Sequence, residues 1–217
     1  MKTVGVLALQ GDFEAHRKAI ERAGARALEV RTAAELAQCD GLIIPGGEST
    51  TMLKLLEAGK LTDPVRDFAG KKPVYGSCAG AILLAKEVTR PAQASLGLMD
   101  IDVERNGYGR QIDSRIAKIP VQVEESGEEK RGQTALSTRG PCVETEGLRL
   151  GTEWSVPFFE AVFIRAPIIR RVGGGARVLA SYQGDPVWVE QGRHMVTTFH
   201  PELTEDSRIH RRFLEKL

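Results

Sequence analysis

The decapeptide VYGSCAGAIL, residues 74–83, places a cysteine between two glycines where an apolar strand gives way to a helix. A cysteine used only for packing behaves as a small hydrophobic side chain and needs no glycine neighbours. Residues 76–80 instead match the strand–nucleophile–helix turn of the G-x-S-x-G type, with Cys78 as the nucleophile. The turn needs neighbours without bulk, and the N-terminus of the next helix favours a thiolate. The segment therefore predicts a nucleophilic Cys78, with the Ala79 backbone N–H as an oxyanion donor.

The same strand–glycine–helix unit recurs on the N-terminal side of this turn. VGVLALQG (residues 4–11) and GLIIPGG (residues 41–47) are apolar strands that run into glycines, and a helical pattern follows each. This alternation predicts an α/β fold of three layers, a mostly parallel sheet with helices on both faces. Ligands bind beyond the carboxyl ends of such strands, so Gln10-Gly11, residues 46–48 and Cys78 should line one crevice.

The second half of the chain changes pattern. The segments MDIDVERN, RIAKIPVQV and AVFIRAP resemble strands, and residues 176–202 predict an antiparallel C-terminal meander. We expect AGAILLAKEV (79–88) to be one continuous helix and residues 204–217 to be an amphipathic helix. Residues 124–154 are polar and predict a surface insertion. We expect residues 1–217 to form one domain, because this length suits a single α/β core.

Charge and cysteine usage narrow the classes of partner. Thirty basic and twenty-nine acidic residues leave a net charge of +1, which gives no general attraction to nucleic acid or an anionic membrane. Three cysteines lie far apart without a CxxC pair, which argues against a disulfide framework or a structural zinc site. The apolar run at residues 4–9 is too short for a signal sequence. We expect a reduced, cytoplasmic protein whose partners are small molecules or a protein.

A thiol nucleophile needs a base, and His200 is the best placed of the four histidines. It follows an apolar strand in TTFHPEL, and Glu202 lies two positions later, where a carboxylate can orient the imidazole. Read alone, His-Pro-Glu would be a capped turn before a helix, but beside Cys78 it predicts a Cys78–His200–Glu202 triad. The other histidines lie among charged residues or near a turn, so we expect them at the surface: His16, His194 and His210.

The segment GGEST, residues 46–50, closes a strand and opens a helix. Its backbone N–H groups could bind an anion or a developing oxyanion. It lacks the lysine of a phosphate-binding P-loop, so we reject a nucleotide-binding interpretation. Taken alone, the motif fits equally well an ordinary β–α turn with Ser49 as the helix N-cap.

Together these segments resemble the class I glutamine amidotransferases, and more specifically the family of glutaminase subunits of pyridoxal 5′-phosphate synthases. The matching segments follow the family's order and span nearly the whole chain: LALQGDFEAH, DGLIIPGGESTTM, GSCAGAILLAKE, VERNGYGRQIDS, VFIRAP and TFHPELTED. The resemblance implies the flavodoxin-like fold of these amidotransferases and the catalytic use of a Cys-His-Glu triad.

The resemblance also implies the chemistry of the site. Cys78 would attack the side-chain amide of L-glutamine, His200 would move the protons, and Glu202 would orient His200. A γ-glutamyl thioester would then be hydrolysed to glutamate. The Gly47 backbone would lie near the oxyanion, and a guanidinium suits the α-carboxylate of the substrate. The family's glutamine-binding positions correspond to Gly47, Glu48, Ser49, Arg105, Ile164 and Arg165.

The partner implied by the resemblance is a separate synthase subunit. This subunit is a (β/α)8 barrel that receives the ammonia and builds pyridoxal phosphate from a pentose phosphate and a triose phosphate. Glutaminases of the family are weak alone and are activated by docking, and Gln10-Gly11 with the following helix resembles the docking side. The resemblance implies no metal and no cofactor in the glutaminase itself.

Three alternatives remain open from the residues. The chain could be a glutaminase that feeds a different synthase, since the triad is common to all of them. It could be a cysteine hydrolase of γ-glutamyl or peptide bonds, which would need a more open site and no partner. It could be a non-enzymatic subunit with a decayed site, although intact Cys78, His200 and Glu202 argue against that.

Overall fold

The computed structural model describes residues 1–105, 115–120 and 158–217. The predicted insertion at 124–154 and most of VERNGYGRQIDS lie outside the described residues. The strands are β1 (Thr3–Leu7), β2 (Arg26–Val30), β3 (Gly41–Ile44), β4 (Val74–Ser77), β5 (Ala85–Thr89), β6 (Met99–Glu104), β7 (Arg115–Pro120), β8 (Phe158–Phe163), β9 (Ile168–Val172), β10 (Arg177–Tyr182), β11 (Asp185–Gln191) and β12 (His194–Thr197). The helices are α1 (Phe13–Arg22), α2 (Ala33–Ala37), α3 (Ser49–Ala58), α4 (Thr62–Ala69), α5 (Ala79–Leu84) and α6 (Arg208–Leu214), with a 3-10 turn at Pro201–Leu203.

The main sheet has seven strands in the order β10-β11-β12-β4-β3-β1-β2. Strands β12, β4, β3, β1 and β2 run parallel, whereas β10, β11 and β12 form antiparallel pairs. The predicted mostly parallel sheet and the antiparallel C-terminal section are therefore both confirmed. The last strand of the meander, β12, also pairs in parallel with β4. That pairing places the histidine segment after β12 beside the cysteine turn after β4.

Both faces of this sheet are covered, as the sequence predicts. In β3, alternate side chains point to opposite faces, with Leu42 and Ile44 in one apolar cluster and Ile43 in the other. One cluster is covered by helices α2 to α5 and by the small sheet β5-β6-β9. The other is covered by α1, α6 and the ribbon β7-β8. The predicted C-terminal helix is α6, and it buries Ile209 and Phe213 against the sheet.

Two elements differ from the sequence prediction. The expected helix at 79–88 ends at Leu84, because Ala85 adopts an extended backbone and β5 begins there. Strand β5 pairs with β6, which lets Val88 enter the core while Lys86 and Glu87 stay exposed. Strand β9 was not predicted, because its sequence IIRRV is short and only partly apolar. Its pairing with β6, which completes the small sheet, is a tertiary feature.

The helices of the described ranges are short, and α1 and α3, with ten residues each, are the longest. None of the helices in these ranges combines the length and apolar character needed to cross a membrane.

Candidate active site

Cys78 lies in a strained turn between β4 and α5. Its backbone has φ of 48° and ψ of −103°, a left-handed conformation that residues with a side chain rarely adopt. The turn is also tightly packed: a Cβ on Gly76 would lie 2.5 Å from the carbonyl carbon of Gly80. The Cys78 N–H donates to the Thr197 carbonyl at 2.9 Å, which fixes the turn to the end of β12. The predicted need for glycine neighbours is therefore confirmed.

Most of the predicted site residues meet in one cleft of about 300 Å³ at the carboxyl ends of the parallel strands. Of the remaining predicted residues, Glu202 lies buried behind His200, Ala79 begins α5, and Gly11 packs against the Gly46 carbonyl. The cleft is lined by Gln10, Asp12, Gly47, Glu48, Ser49, Cys78, Ile82, Arg105, Ile164, Arg165 and His200.

His200 and Glu202 form a buried hydrogen-bonded pair. The distance from His200 Nδ1 to Glu202 Oε1 is 2.8 Å, and the His200 backbone N–H donates to the Val162 carbonyl at 2.9 Å. Since Nδ1 is engaged, Nε2 is the nitrogen left to act in the cleft. Burial by itself lowers the pKa of His200, but hydrogen bonds with Cys78 and Glu202 raise it to about 10. The ring is therefore an imidazolium at neutral pH, able to release a proton to a leaving group.

Glu202 stays ionised although it is almost fully buried. Burial by itself raises the pKa of its carboxyl group, but the neighbouring His16 and the hydrogen bond from His200 bring it below the usual value. A carboxylate in this position stabilises the charged form of His200 and fixes the orientation of its ring.

The expectation that the other histidines lie at the surface is wrong for His16 and His210, which are 0% and 1% exposed. Their rings are in contact, with 3.1 Å between His16 Nδ1 and His210 Nε2. The charged neighbours that suggested solvation lie on the outer faces of α1 and α6. A signal was present in the spacing, because His16 falls three residues after Phe13 and four before Ile20, on the inner stripe of α1. His194 is half-buried, and its Nδ1 accepts a hydrogen bond from the Val74 N–H at 3.2 Å.

The loop before α3 is held by side chains on both sides. Glu48 is the N-cap, and its carboxylate accepts hydrogen bonds from the Thr50 and Thr51 N–H groups at 3.1 and 2.6 Å. The alternative interpretation with Ser49 as the N-cap is therefore wrong. The side-chain oxygen of Gln10 accepts from the Glu48 N–H at 2.8 Å, which ties the strand-end glutamine to this loop.

The two arginines of the cleft are differently engaged. Arg105 Nη2 donates to Glu48 Oε1 at 3.3 Å and to Thr50 Oγ1 at 3.0 Å, so its guanidinium supports the loop. Arg165 is exposed, has φ of 45°, and forms no hydrogen bond or ion pair with other described residues. The carbonyl of the preceding Ile164 lies 3.9 Å from Cys78 Sγ. Among the described residues, Arg165 therefore has its whole guanidinium free for a substrate carboxylate, whereas Arg105 keeps only Nε and Nη1 free.

A second acidic side chain, that of Asp12, lies close to the His200–Glu202 pair. One possible metal-ligand atom from each of Asp12, His200 and Glu202 lies within 4.8 Å of the others. Among the described residues, these three side chains are the group close enough together to hold a metal ion. His200 Nδ1 and Glu202 Oε1 are already bonded to each other. The donor set is therefore arranged for proton transfer more than for holding an ion.

Comparison with known families gives an independent result. A family model described as the SNO glutamine amidotransferase family matches residues 6–147 and 152–217. A relative from Solibacter usitatus, named pyridoxal 5′-phosphate synthase subunit PdxT, is 56% identical over all of both chains. Relatives of the same name from Deinococcus radiodurans and Koribacter versatilis are 47% and 46% identical, over 98% of this chain and 95% and 94% of theirs.

Solved structures agree with the sequence relatives. A crystal structure titled glutamine amidotransferase is 42% identical, covers 98% of this chain and 97% of its own, and has a TM-score of 0.79. PurLQS from Thermotoga maritima has a TM-score of 0.64 at 14% identity, over 99% of this chain and 97% of the other, which indicates a shared fold alone.

Proposed function

This chain belongs to the SNO glutamine amidotransferase family, and we propose that it is the glutaminase subunit of a pyridoxal 5′-phosphate synthase. It would hydrolyse L-glutamine to L-glutamate and ammonia and deliver the ammonia for vitamin B6 synthesis. Full-length relatives of 42–56% identity that carry this subunit name support the assignment. The structural observation that carries it is the buried His200–Glu202 pair, 2.8 Å apart, beside the strained Cys78 turn.

In the proposed reaction, the thiolate of Cys78 attacks the side-chain amide carbon of glutamine. The backbone N–H groups of Gly47 and Ala79 stabilise the oxyanion that forms. The C–N bond breaks as the His200 imidazolium gives its proton to the departing nitrogen, and ammonia leaves. A γ-glutamyl thioester remains on Cys78.

Hydrolysis of the thioester completes the cycle. His200, now neutral, removes a proton from water, and the resulting hydroxide attacks the thioester carbon. The C–S bond breaks, glutamate leaves, and the thiolate–imidazolium pair is restored. Glu202 keeps the His200 ring in one orientation through both steps, because its Oε1 remains bonded to Nδ1.

Recognition of the substrate follows from the charges of the cleft. Arg165 has free donors for the α-carboxylate of glutamine, which a guanidinium binds with two parallel hydrogen bonds. Glu48, Ser49 and Ile164, which line the same cleft, are proposed to contact the rest of the substrate. Arg105 would act on the same site through Glu48 and Thr50, which it already holds.

We also propose that the synthase barrel docks at Gln10-Gly11. Gln10 lines the cleft and accepts a hydrogen bond from the Glu48 N–H, directly after the oxyanion residue Gly47. A partner that moves Gln10 would therefore act on the oxyanion loop. The glutaminase would form one domain over residues 1–217 and work in the cytoplasm, where a reduced thiol persists.

The test is glutamate release from L-glutamine by the purified chain, with and without a cognate (β/α)8 synthase subunit. We expect strong stimulation by the barrel and loss of hydrolysis in Cys78→Ala. The matched control is Cys39→Ala, since Cys39 is equally buried in the core but lies outside the cleft. Hydrolysis by Cys78→Ala near the parent rate would refute the nucleophile, and hydrolysis indifferent to the barrel would refute the partner.

A further inference from the structure

We infer that His16 and His210 form a positioning pair behind the triad: His16 holds the second carboxylate oxygen of Glu202, and His210 fixes the tautomer of His16. The inference rests on the proposed glutaminase function, because the triad gives the pair its purpose. Neither histidine lines the cleft, so both would act through Glu202 and not on the substrate.

The first observation is the surroundings of Glu202. Its Oε1 is bonded to His200, whereas its Oε2 lies 3.2 Å from His16 Nε2, and the side chains of His16 and Glu202 are both 0% exposed. The same His16 nitrogen lies 2.8 Å from Ser77 Oγ, so it points between that hydroxyl oxygen and Glu202 Oε2. Glu202 Oε2 accepts no well-aligned hydrogen bond from the described residues. The His16 contact is therefore its main electrostatic support.

The second observation is the hydrogen-bond chain, which selects one tautomer. With the proton on His16 Nε2, the N–H donates to Ser77 Oγ at 2.8 Å with Glu202 Oε2 3.2 Å away, and His16 Nδ1 accepts from His210 Nε2–H at 3.1 Å. The reverse arrangement would turn a nitrogen lone pair toward the carboxylate. It would also leave a proton on His210 Nδ1, a buried atom without a partner among the described residues. An unpaired buried donor is the more costly defect, so the first arrangement is favoured.

The third observation is the charge state of the pair. Burial lowers the pKa of His210 to about 3 and lowers that of His16 as well, so both rings are neutral at physiological pH. The pair therefore offers an oriented N–H dipole and leaves the charge of Glu202 intact. The Tyr75 ring meets both imidazoles edge-on, with centroids 6.0 and 6.3 Å away, which restricts their rotation.

The same pair also links distant parts of the chain to the nucleophile. His16 lies on α1 and His210 on α6, and Ser77, which His16 contacts, directly precedes Cys78. Movement of either helix would therefore reach the carboxylate of the triad and the turn of the nucleophile together.

A matched pair of substitutions separates positioning from simple packing. In His16→Gln the side-chain amide can reach Glu202 as Nε2 does, whereas in His16→Asn it can reach only the position of Nδ1, toward His210. We expect His16→Asn to lower kcat about tenfold, the scale of coupling between contacting residues, with the KM for glutamine unchanged. We expect His16→Gln to stay within about threefold of the parent.

A double-mutant cycle with Glu202→Gln gives the decisive readout. If His16 acts through the carboxylate, His16→Asn should cost little further activity once that carboxylate is gone. Equal losses in both backgrounds, or a folded His16→Asn as active as the parent, would overturn the inference.

The rate of Cys78 alkylation by iodoacetamide, located by peptide mass spectrometry, provides a readout that needs no glutamine. We expect alkylation to be slower in His16→Asn than in His16→Gln. A parent chain that fails to hydrolyse glutamine with its synthase would refute the proposed function, while equal alkylation of the two variants would refute the positioning role.

Discussion

The substitution Gly80→Ala tests whether the glycines around Cys78 are required by space. Gly80 lies in the first turn of α5, two residues after the nucleophile, and an ideal Cβ there would lie 2.1 Å from the Ile44 carbonyl oxygen. The obstacle is backbone and not a flexible side chain. Ile44 belongs to the central strand β3 and pairs in register with Gly76 of β4, so it cannot move alone.

The expected losses of stability and of kcat in Gly80→Ala follow from that overlap. The two atoms must separate by about 1 Å to restore an ordinary contact, and α5 must move because the sheet cannot. Overpacking of this kind costs about 1–3 kcal/mol, of which the better helix propensity of alanine returns up to about 1 kcal/mol. Because Cys78 is the N-cap of α5, its sulfur moves with the helix. A displacement of about 1 Å at a reacting group costs roughly a hundredfold in kcat.

The assay combines steady-state glutamate release, measured with the synthase subunit, with urea unfolding of the same preparations. Gly174→Ala is the matched control, because a Cβ at Gly174 meets no described atom within 4 Å. We expect the control to keep the parent kcat and free energy of unfolding. A Gly80→Ala variant as active and as stable as Gly174→Ala would show that the turn does not depend on close packing.

Two further predictions concern the substrate carboxylate and acid stability. Arg165→Ala should raise the KM for glutamine about tenfold and change kcat by less than about twofold, because ground-state binding is lost. Steady-state kinetics of glutamate release measure both constants, and an unchanged KM would count against a contact between Arg165 and the substrate carboxylate. The free energy of unfolding should fall as the pH drops from about 6.5 to about 4, because burial lowers the folded pKa of His194 to about 4 and of His210 to about 3. As the pH falls, the unfolded chain takes up these protons before the folded chain does, so acid favours unfolding. Urea unfolding midpoints should therefore be lower at pH 5 than at pH 7, and equal midpoints would contradict this prediction.

The sequence was sufficient for the parts of the fold that local patterns determine. Apolar strands ending in glycines predicted the parallel strands and the shared crevice, because successive strand ends in such a sheet open on one edge. The sequence TAAE at residues 32–35 has the pattern of a capping box, and the structure forms one, with the Thr32 side chain and the Glu35 carboxylate each bonded to the other's backbone N–H. The cleft brings Gln10, the loop 47–49 and Cys78 together for the same reason, since they follow β1, β3 and β4. Arg105 and Ile164-Arg165 reach the same cleft from β6 and β8, which lie outside the main sheet.

The sequence was insufficient where tertiary pairing decides. Residues 85–89 continue a helical pattern, yet they form β5 because β6 offers a partner strand. His16 and His210 lie among arginines and glutamates in the sequence, but the helix period turns each ring inward, away from its charged neighbours. Their contact joins positions 194 residues apart, so no local pattern could have reported it.

The choice of neutral histidines beside Glu202 has an electrostatic reason. An arginine or lysine in place of His16 would pair with the carboxylate and reduce its effect on His200, whose pKa of about 10 depends on hydrogen bonds with Cys78 and Glu202. An apolar residue would leave Glu202 Oε2 buried without any support. A neutral imidazole avoids both problems, because its N–H dipole orients the carboxylate without cancelling its charge. The requirement for a neutral donor, in turn, explains why the pair is buried as completely as it is, since burial is what keeps the pKa values of His16 and His210 low.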